Sequence, residues 1–297
     1  MRTETFVLDP RYPDCTLTTY IHEPYAELNI PTRRAIIICP GGGYQFLSER
    51  EAEPVALQYF AAGLNVFILR YSVKEKALND APLIESALAV KHIRENAEKY
   101  FVDPAYIFIT GFSAGGHCAA MCGTLWNHSV VREALGIDRG EAPEGINRPT
   151  ATVLCYPVIT ANPFAHRGSI DTLCGGPSED TDGAYHFSVE LHVDKTTAPA
   201  FIWHTFNDGA VPIQNTLLYA SALADAGVPF EYHVYPDGVH GLSLANRETW
   251  VGLPTHYNPT CQGWIDDAQL KRLAAGYGKS SYGQYLDRLA SGVAPCR

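Results

Sequence analysis

Apolar residues along this chain fall into short dense runs, and the segments between the runs show helical spacing. Runs at residues 35–39, 66–69, 106–110, 151–156, 200–204 and 230–235 read as strands, and 35–39, an unbroken apolar run bounded by Pro40, reads as a central one. Residues 16–21 alternate instead, as a half-exposed strand does. Between the runs, residues 51–62 place Val55, Ala56, Tyr59 and Phe60 at helical spacing, with Pro54 in the first turn and Gly63 as the stop. Residues from about 82 to 100 separate an apolar stripe through Ile84, Ala87 and Leu88 from a charged one through Lys91 and Glu95. Further helices are expected after Ser113, over 214–226 with Gly227 closing it, and around 265–274. Strands alternating with helices predict an α/β fold, a mostly parallel central sheet with right-handed crossovers and helices on both faces.

Two connections break the rhythm. Residues 127–149 are polar and contain Gly and Pro, and residues 159–198 are long and irregular, with Gly175-Gly176-Pro177 and an acidic stretch at 178–182. A connection of the second length in a compact domain is usually functional or disordered, and the expectation is a small cap over a site. No repeat or low-complexity linker divides the 297 residues, so a single domain over 1–297 is expected.

Composition narrows the partners. Lys plus Arg number 22 against 32 Asp plus Glu, a net charge of −10, with no basic run to attract nucleic acid or an anionic membrane. The N-terminal residues include Glu4 and lack the apolar core of a secretory signal, and no apolar run is long enough to cross a bilayer; the expected location is cytoplasmic. Eight cysteines form no C-x-x-C pair and read as reduced, buried thiols. Cys118 and Cys122 would share a helix face, but without clustered His or Cys partners no metal site is expected. A homo-oligomer is compatible with this composition.

The candidate chemistry centres on Gly111-Phe112-Ser113-Ala114-Gly115. The spacing G-x-S-x-G between a strand and a helix is that of a nucleophile elbow, where missing side chains let strand and helix approach closely. Its serine is a poor nucleophile until a histidine takes its proton and a carboxylate orients that histidine. The required order is Ser, acid, His, each at a strand's carboxyl end. Asp208 follows the run ending at 204, and His240 follows the run ending at 235 in a Gly-bracketed turn. Asp237 is the rival acid, with turn formation beside Gly238 as its ordinary role. His117 lies in the elbow helix and reads as a packing or capping group; His204 and His233 lie in strands. An oxyanion hole would draw on the N–H of Ala114 and on Gly42 and Gly43 in the triple-glycine loop after residue 40.

Pro40-Gly41-Gly42-Gly43-Tyr44, the elbow with its following Gly116-His117, Asp208-Gly209-Ala210-Val211-Pro212 and His240-Gly241-Leu242 together resemble the α/β-hydrolase superfamily. The match is to its esterase/lipase branch, related to hormone-sensitive-lipase-like esterases, and covers roughly residues 35–244. Many members of that branch carry His where this chain has Pro40, so the resemblance is closer to acetyl esterases and acetylxylan-esterase-like proteins. It implies a serine esterase without cofactor or metal, acting on short acyl esters, often of acetylated sugars or oligosaccharides, with Ser113, Asp208 and His240 as the triad. In the cytoplasm the substrate would be imported acetylated fragments. Tyr44, Phe46, Tyr71, Trp203 and Trp264 are candidate sugar-facing walls, each with core packing as its ordinary role. Two alternatives use the same residues: a serine peptidase or an amidase such as a formamidase, and a non-catalytic binding protein on a hydrolase fold.

Overall fold

The computed structural model of the chain describes residues 1–267 apart from 180–181, 251, 253–257 and 259–260. Its strands are β1 (Arg2–Asp9), β2 (Tyr12–Ile21), β3 (Arg33–Cys39), β4 (Asn65–Arg70), β5 (Val102–Phe112), β6 (Thr152–Cys155), β7 (Ala200–Thr205) and β8 (Phe230–Tyr235). They form one sheet in the order β1-β2-β4-β3-β5-β6-β7-β8. The pairs β1/β2 and β2/β4 are antiparallel, and every later pair is parallel. The helices are α1 (Glu53–Ala61), α2 (Ala81–Glu95), α3 (Ala114–Thr124), α4 (Ser129–Leu135), α5 (Arg167–Cys174), α6 (Asp182–His186), α7 (Gln214–Asp225) and α8 (Trp264–Asp267).

Strand alternation sends each dense run into two cores. Ile37, Phe67, Leu69, Ile109 and Ile202 pack on one face with side chains of α2, α3 and α7. Ile36, Ile38, Val66, Phe108 and Trp203 pack on the other with α1 and with Trp264 of α8. Both faces are therefore covered, which is why these strands lack a polar face in the sequence.

The order reverses at β3, whose neighbours are β4 on one side and β5 on the other. Loops leaving β3 and β5 thus open side by side at the carboxyl edge, the position where open α/β sheets bind ligands. Register fixes the closeness, since Cys39, just before the triple glycine, pairs with Gly111 of the elbow.

Several elements differ from the expectation. β1 was not visible as a strand because it is an edge strand whose residues are all partly or fully exposed. β5 starts at Val102, well before 106, because its register with β3 shifts between Arg33 and Ala35; Pro104, without an N–H, sits within that irregularity. The region 127–149 contains α4, which buries only Val131 and Leu135, too few positions to show a period. α2 ends at Glu95 rather than near 100. The segment 159–198 holds α5, α6 and a 3-10 turn, Val189–His192, and it is tied down: the Val189 N–H donates to Ile159 O at 3.0 Å and the Ala161 N–H to Ser188 Oγ at 2.9 Å. Of the expected tail helix, residues 268–274 lie outside the described residues.

Candidate active site

Ser113 links β5 to α3 with φ 54° and ψ −119°, a left-handed conformation that a residue with a Cβ adopts only when its surroundings enforce it. The flanking glycines make that enforcement. A Cβ on Gly111 would lie 2.0 Å from Gly115 O, and one on Gly115 would lie 2.1 Å from Cys39 O. The Ser113 N–H donates to Cys155 O at 3.0 Å, and Ser113 O accepts from Val158 N–H at 3.1 Å and from His117 N–H at 3.0 Å. With its backbone committed in this way, the serine has its Oγ at a cavity of about 440 Å³ lined in part by Gly42, Gly43, Phe46, His166 and His240.

The loops after β7 and β8 bring the expected partners to it. His240 Nε2 lies 2.8 Å from Ser113 Oγ, and His240 Nδ1 lies 2.7 Å from Asp208 Oδ2. An ionised carboxylate only accepts hydrogen bonds, so Nδ1 carries the proton and the Nε2 lone pair faces the serine hydroxyl. Asp208 is buried, and Oδ1 accepts the N–H groups of Ala210 and Val211, each at 2.9 Å. Burial opposes its charge, but hydrogen bonds from His204 and His240 and the Val211 N–H outweigh it and hold the carboxyl well below the usual range. Asp237 turns elsewhere: its carboxylate accepts from the exposed side-chain amide of Asn207, and Asn207 Oδ1 accepts the Gly238 N–H at 2.8 Å.

The triple-glycine loop supplies donors beside the serine. Gly42 has φ 133°, and a Cβ there would sit 2.0 Å from Phe46 O. The Gly41 N–H is taken by Glu51 Oε2 at 2.9 Å, whereas the N–H groups of Gly42, Gly43 and Ala114 have no acceptor among the described residues.

Four residues at this edge were not singled out from sequence. Glu51, 3% exposed, also accepts the Tyr156 hydroxyl at 2.7 Å, and that oxygen accepts the Ser243 N–H at 2.8 Å. Arg50 donates to Gly241 O at 2.8 Å and Thr249 O at 2.6 Å, holding the loop that carries His240. His204, read only as a strand residue, lies with Nε2 3.2 Å from Asp208 Oδ2. His166 enters from the 159–198 segment. The one available signal was the polar run Ser48-Glu49-Arg50-Glu51 following a glycine loop.

His117 is fully buried, with Nδ1 2.8 Å from the Tyr44 hydroxyl and Nε2 2.8 Å from Phe187 O; burial lowers it to about 4, so it is a neutral packing group. Tyr44, Tyr71, Trp203 and Trp264 are core residues, and only Phe46 of the aromatic candidates lines the cavity. Cys118 and Cys122 are buried; burial pushes the Cys122 thiol up to about 12, and no group of three or more potential metal ligands exists among the described residues. No helix among them is long and apolar enough to cross a membrane.

A mostly parallel sheet in which β2 alone runs antiparallel, a strained serine after β5 and loops converging at the carboxyl edge define an α/β hydrolase. Within that class the chain belongs to the BD-FAE family, whose model matches residues 23–223. It is similar to endo-1,4-beta-xylanase B of Butyrivibrio fibrisolvens, 37% identical over 80% of this chain and 36% of the xylanase. It is also similar to an acetylxylan esterase of Xylanibacter ruminicola, 28% identical over 74% of this chain and 42% of that protein. The chain thus spans less than half the length of these two curated relatives. Among solved structures, an acetyl ester-xyloside bifunctional hydrolase from Caldicellulosiruptor lactoaceticus aligns with a TM-score of 0.71 and 34% identity, covering 90% of this chain and 97% of that one.

Proposed function

We propose that this chain is a serine esterase that removes short acyl groups, acetyl above all, from acetylated sugars or oligosaccharides. The observation that carries the reading is the continuous relay from Ser113 Oγ through His240 to Asp208, at 2.8 and 2.7 Å, opening on a cavity. Ser113 Oγ bonds to the acyl carbon while its proton passes to His240 Nε2. The N–H groups of Gly42, Gly43 and Ala114 receive the oxyanion, and Asp208 holds the imidazole tautomer and its developing charge. The imidazolium then protonates the departing alcohol. In the second half, water gives its proton to His240, attacks the acyl-serine, and releases the acid with Ser113 restored.

The sugar preference draws support from relatives that carry acetylxylan esterase and acetyl ester-xyloside hydrolase in their names, and from Phe46, an exposed ring on the cavity wall. A cytoplasmic location draws support from the described cysteines, all seven of them free thiols. The test pairs covalent labelling with turnover. A fluorophosphonate should label the wild type and not Ser113→Ala, and acetate should be released from acetylated xylo-oligosaccharides. Aryl esters should be cleaved less well as the acyl chain lengthens from acetate to octanoate. Absence of labelling refutes the serine esterase, and improvement toward octanoate refutes the acyl preference.

A further inference from the structure

His166 occupies the N-cap position of α5 and reaches the same cavity as Ser113 and His240, although it belongs to the 159–198 segment rather than to a loop of the sheet edge. Its Nδ1 lies 2.9 Å from Ser169 Oγ. Ser169 is fully buried, and His166 Nδ1 is the only acceptor that its hydroxyl proton has among the described residues. A buried hydroxyl donor left unmade is costly, so Ser169 donates and Nδ1 accepts. The neutral imidazole then carries its own proton on Nε2. Burial, and then the facing His240, hold His166 below the ordinary histidine value, with Asp208 opposing; the neutral form therefore prevails at pH 7.

Position gives this donor its direction. The His166 Cε1 lies 3.7 Å from where a Cβ on Gly43 would be, so the ring stands over the glycine loop, and its Nε2 has no partner among the described residues. An acetyl group offers only its carbonyl oxygen, for which the backbone donors of Gly42, Gly43 and Ala114 are already available, and the ester oxygen takes its proton from His240. The alcohol has more to recognise. A second depression of about 360 Å³, lined by Lys74, Glu75, Asp171 and Thr172 among others, shares Gln45 with the first cavity. A polyhydroxy alcohol leaving Ser113 along α5 passes His166 at once.

We infer that His166 is a specificity-determining residue, whose Nε2–H donates to a hydroxyl oxygen of the sugar next to the acylated position. This rests on the esterase reading above and adds to it the residue that tells a sugar ester from a simple one. A lone donor of this kind shifts discrimination by about tenfold.

The experiment compares kcat/KM for an acetylated methyl xyloside, which has hydroxyls beside the ester, with that for 4-nitrophenyl acetate, which has none. His166→Phe should lose about tenfold on the xyloside and less than about threefold on the aryl ester, the second substrate reporting that the site is folded. His166→Gln places an amide N–H near the position of Nε2 and should recover most of the xyloside rate. An equal loss on both substrates overturns the proposal, as does an unchanged ratio or a failure of Gln to rescue. If the wild type cleaves neither substrate and takes no fluorophosphonate, it is the esterase reading that fails.

Discussion

Glu51 offers a demanding test of how the site is held, because one buried carboxylate joins two of its loops. Oε2 accepts the Gly41 N–H at 2.9 Å and Oε1 accepts the Tyr156 hydroxyl at 2.7 Å. Glu51→Ala would leave both donors in a region where the residue itself is 3% exposed. Each orphaned donor costs about 1–3 kcal/mol, so the variant should lose roughly 2–6 kcal/mol of stability. Glu51→Gln keeps one acceptor for Gly41 but turns an amide N–H toward Tyr156, whose oxygen already accepts from Ser243; one donor is then stranded, at about 1–3 kcal/mol. Relief of a buried charge works the other way in both variants, so the difference between Ala and Gln is the cleaner quantity. Gly41 adjoins the two glycines assigned to the oxyanion, and loosening it should cost part of the hundredfold or more that a lost donor costs, about tenfold or greater in kcat. Urea denaturation gives the stabilities and aryl acetate turnover the rates. A Glu51→Ala protein with the wild-type urea midpoint and the wild-type kcat would refute both the energetic argument and the assignment of this carboxylate to the glycine loop.

Three further outcomes follow from the same geometry. Asp208→Asn should reduce kcat on aryl acetate by about four orders of magnitude through loss of the tautomer that presents the Nε2 lone pair; a loss under tenfold would remove Asp208 from the relay. Gly115→Ala drives a Cβ to 2.1 Å from Cys39 O and 2.4 Å from Pro40 O, both backbone atoms, and should destabilise by about 1–3 kcal/mol or more while slowing fluorophosphonate labelling; an unchanged midpoint and labelling rate would contradict the close approach. Glu85, fully buried against the Ser72 N–H at 2.7 Å, is raised by burial from 4.5 to about 7, so the stability it contributes is fully present below pH 4.5 and is lost as pH rises through 7. Glu85→Gln, which cannot ionise, should spare the protein about 3 kcal/mol of that decline between pH 5 and 9; urea curves that fall in parallel for both proteins would refute it.

The legibility of this chain divides along a physical line. β3 to β7 could be read because strands covered on both faces must be apolar nearly throughout, and the edge strand β8 through its aromatic and β-branched residues, whereas β1, at the opposite edge and partly exposed, leaves no such mark. Ser113, Asp208 and His240 stood out because each lies in a glycine-bearing turn directly after an apolar run. Glu51, His204 and His166 did not, because each gains its meaning from a side-chain placement that only the fold supplies. Glu51 and Tyr156 are separated by 105 positions, and until the fold joins them a glutamate in a polar run reads as a solvated charge. His204 sits only four residues before Asp208, yet it reads as a strand residue, since nothing local says that the strand end turns its ring toward that carboxylate.

The distribution of these ties separates chemistry from recognition. Gly41 is bound to Glu51, Glu51 to Tyr156 and Tyr156 to Ser243, while Arg50 grips Gly241 and Thr249. The loops that bear Ser113, the glycines proposed as oxyanion donors and His240 are thereby fixed to one another as well as to the sheet, a frame that would supply the preorganisation on which a transition-state donor depends. His166 reaches the cavity from a separate segment, anchored through Ile159, Ala161 and Asn215. Substitutions among the sheet-edge loops should therefore lower the rate on every ester alike. Substitutions at His166 and along the cavity face of α5 should instead reorder the substrates and leave the simplest ester nearly untouched.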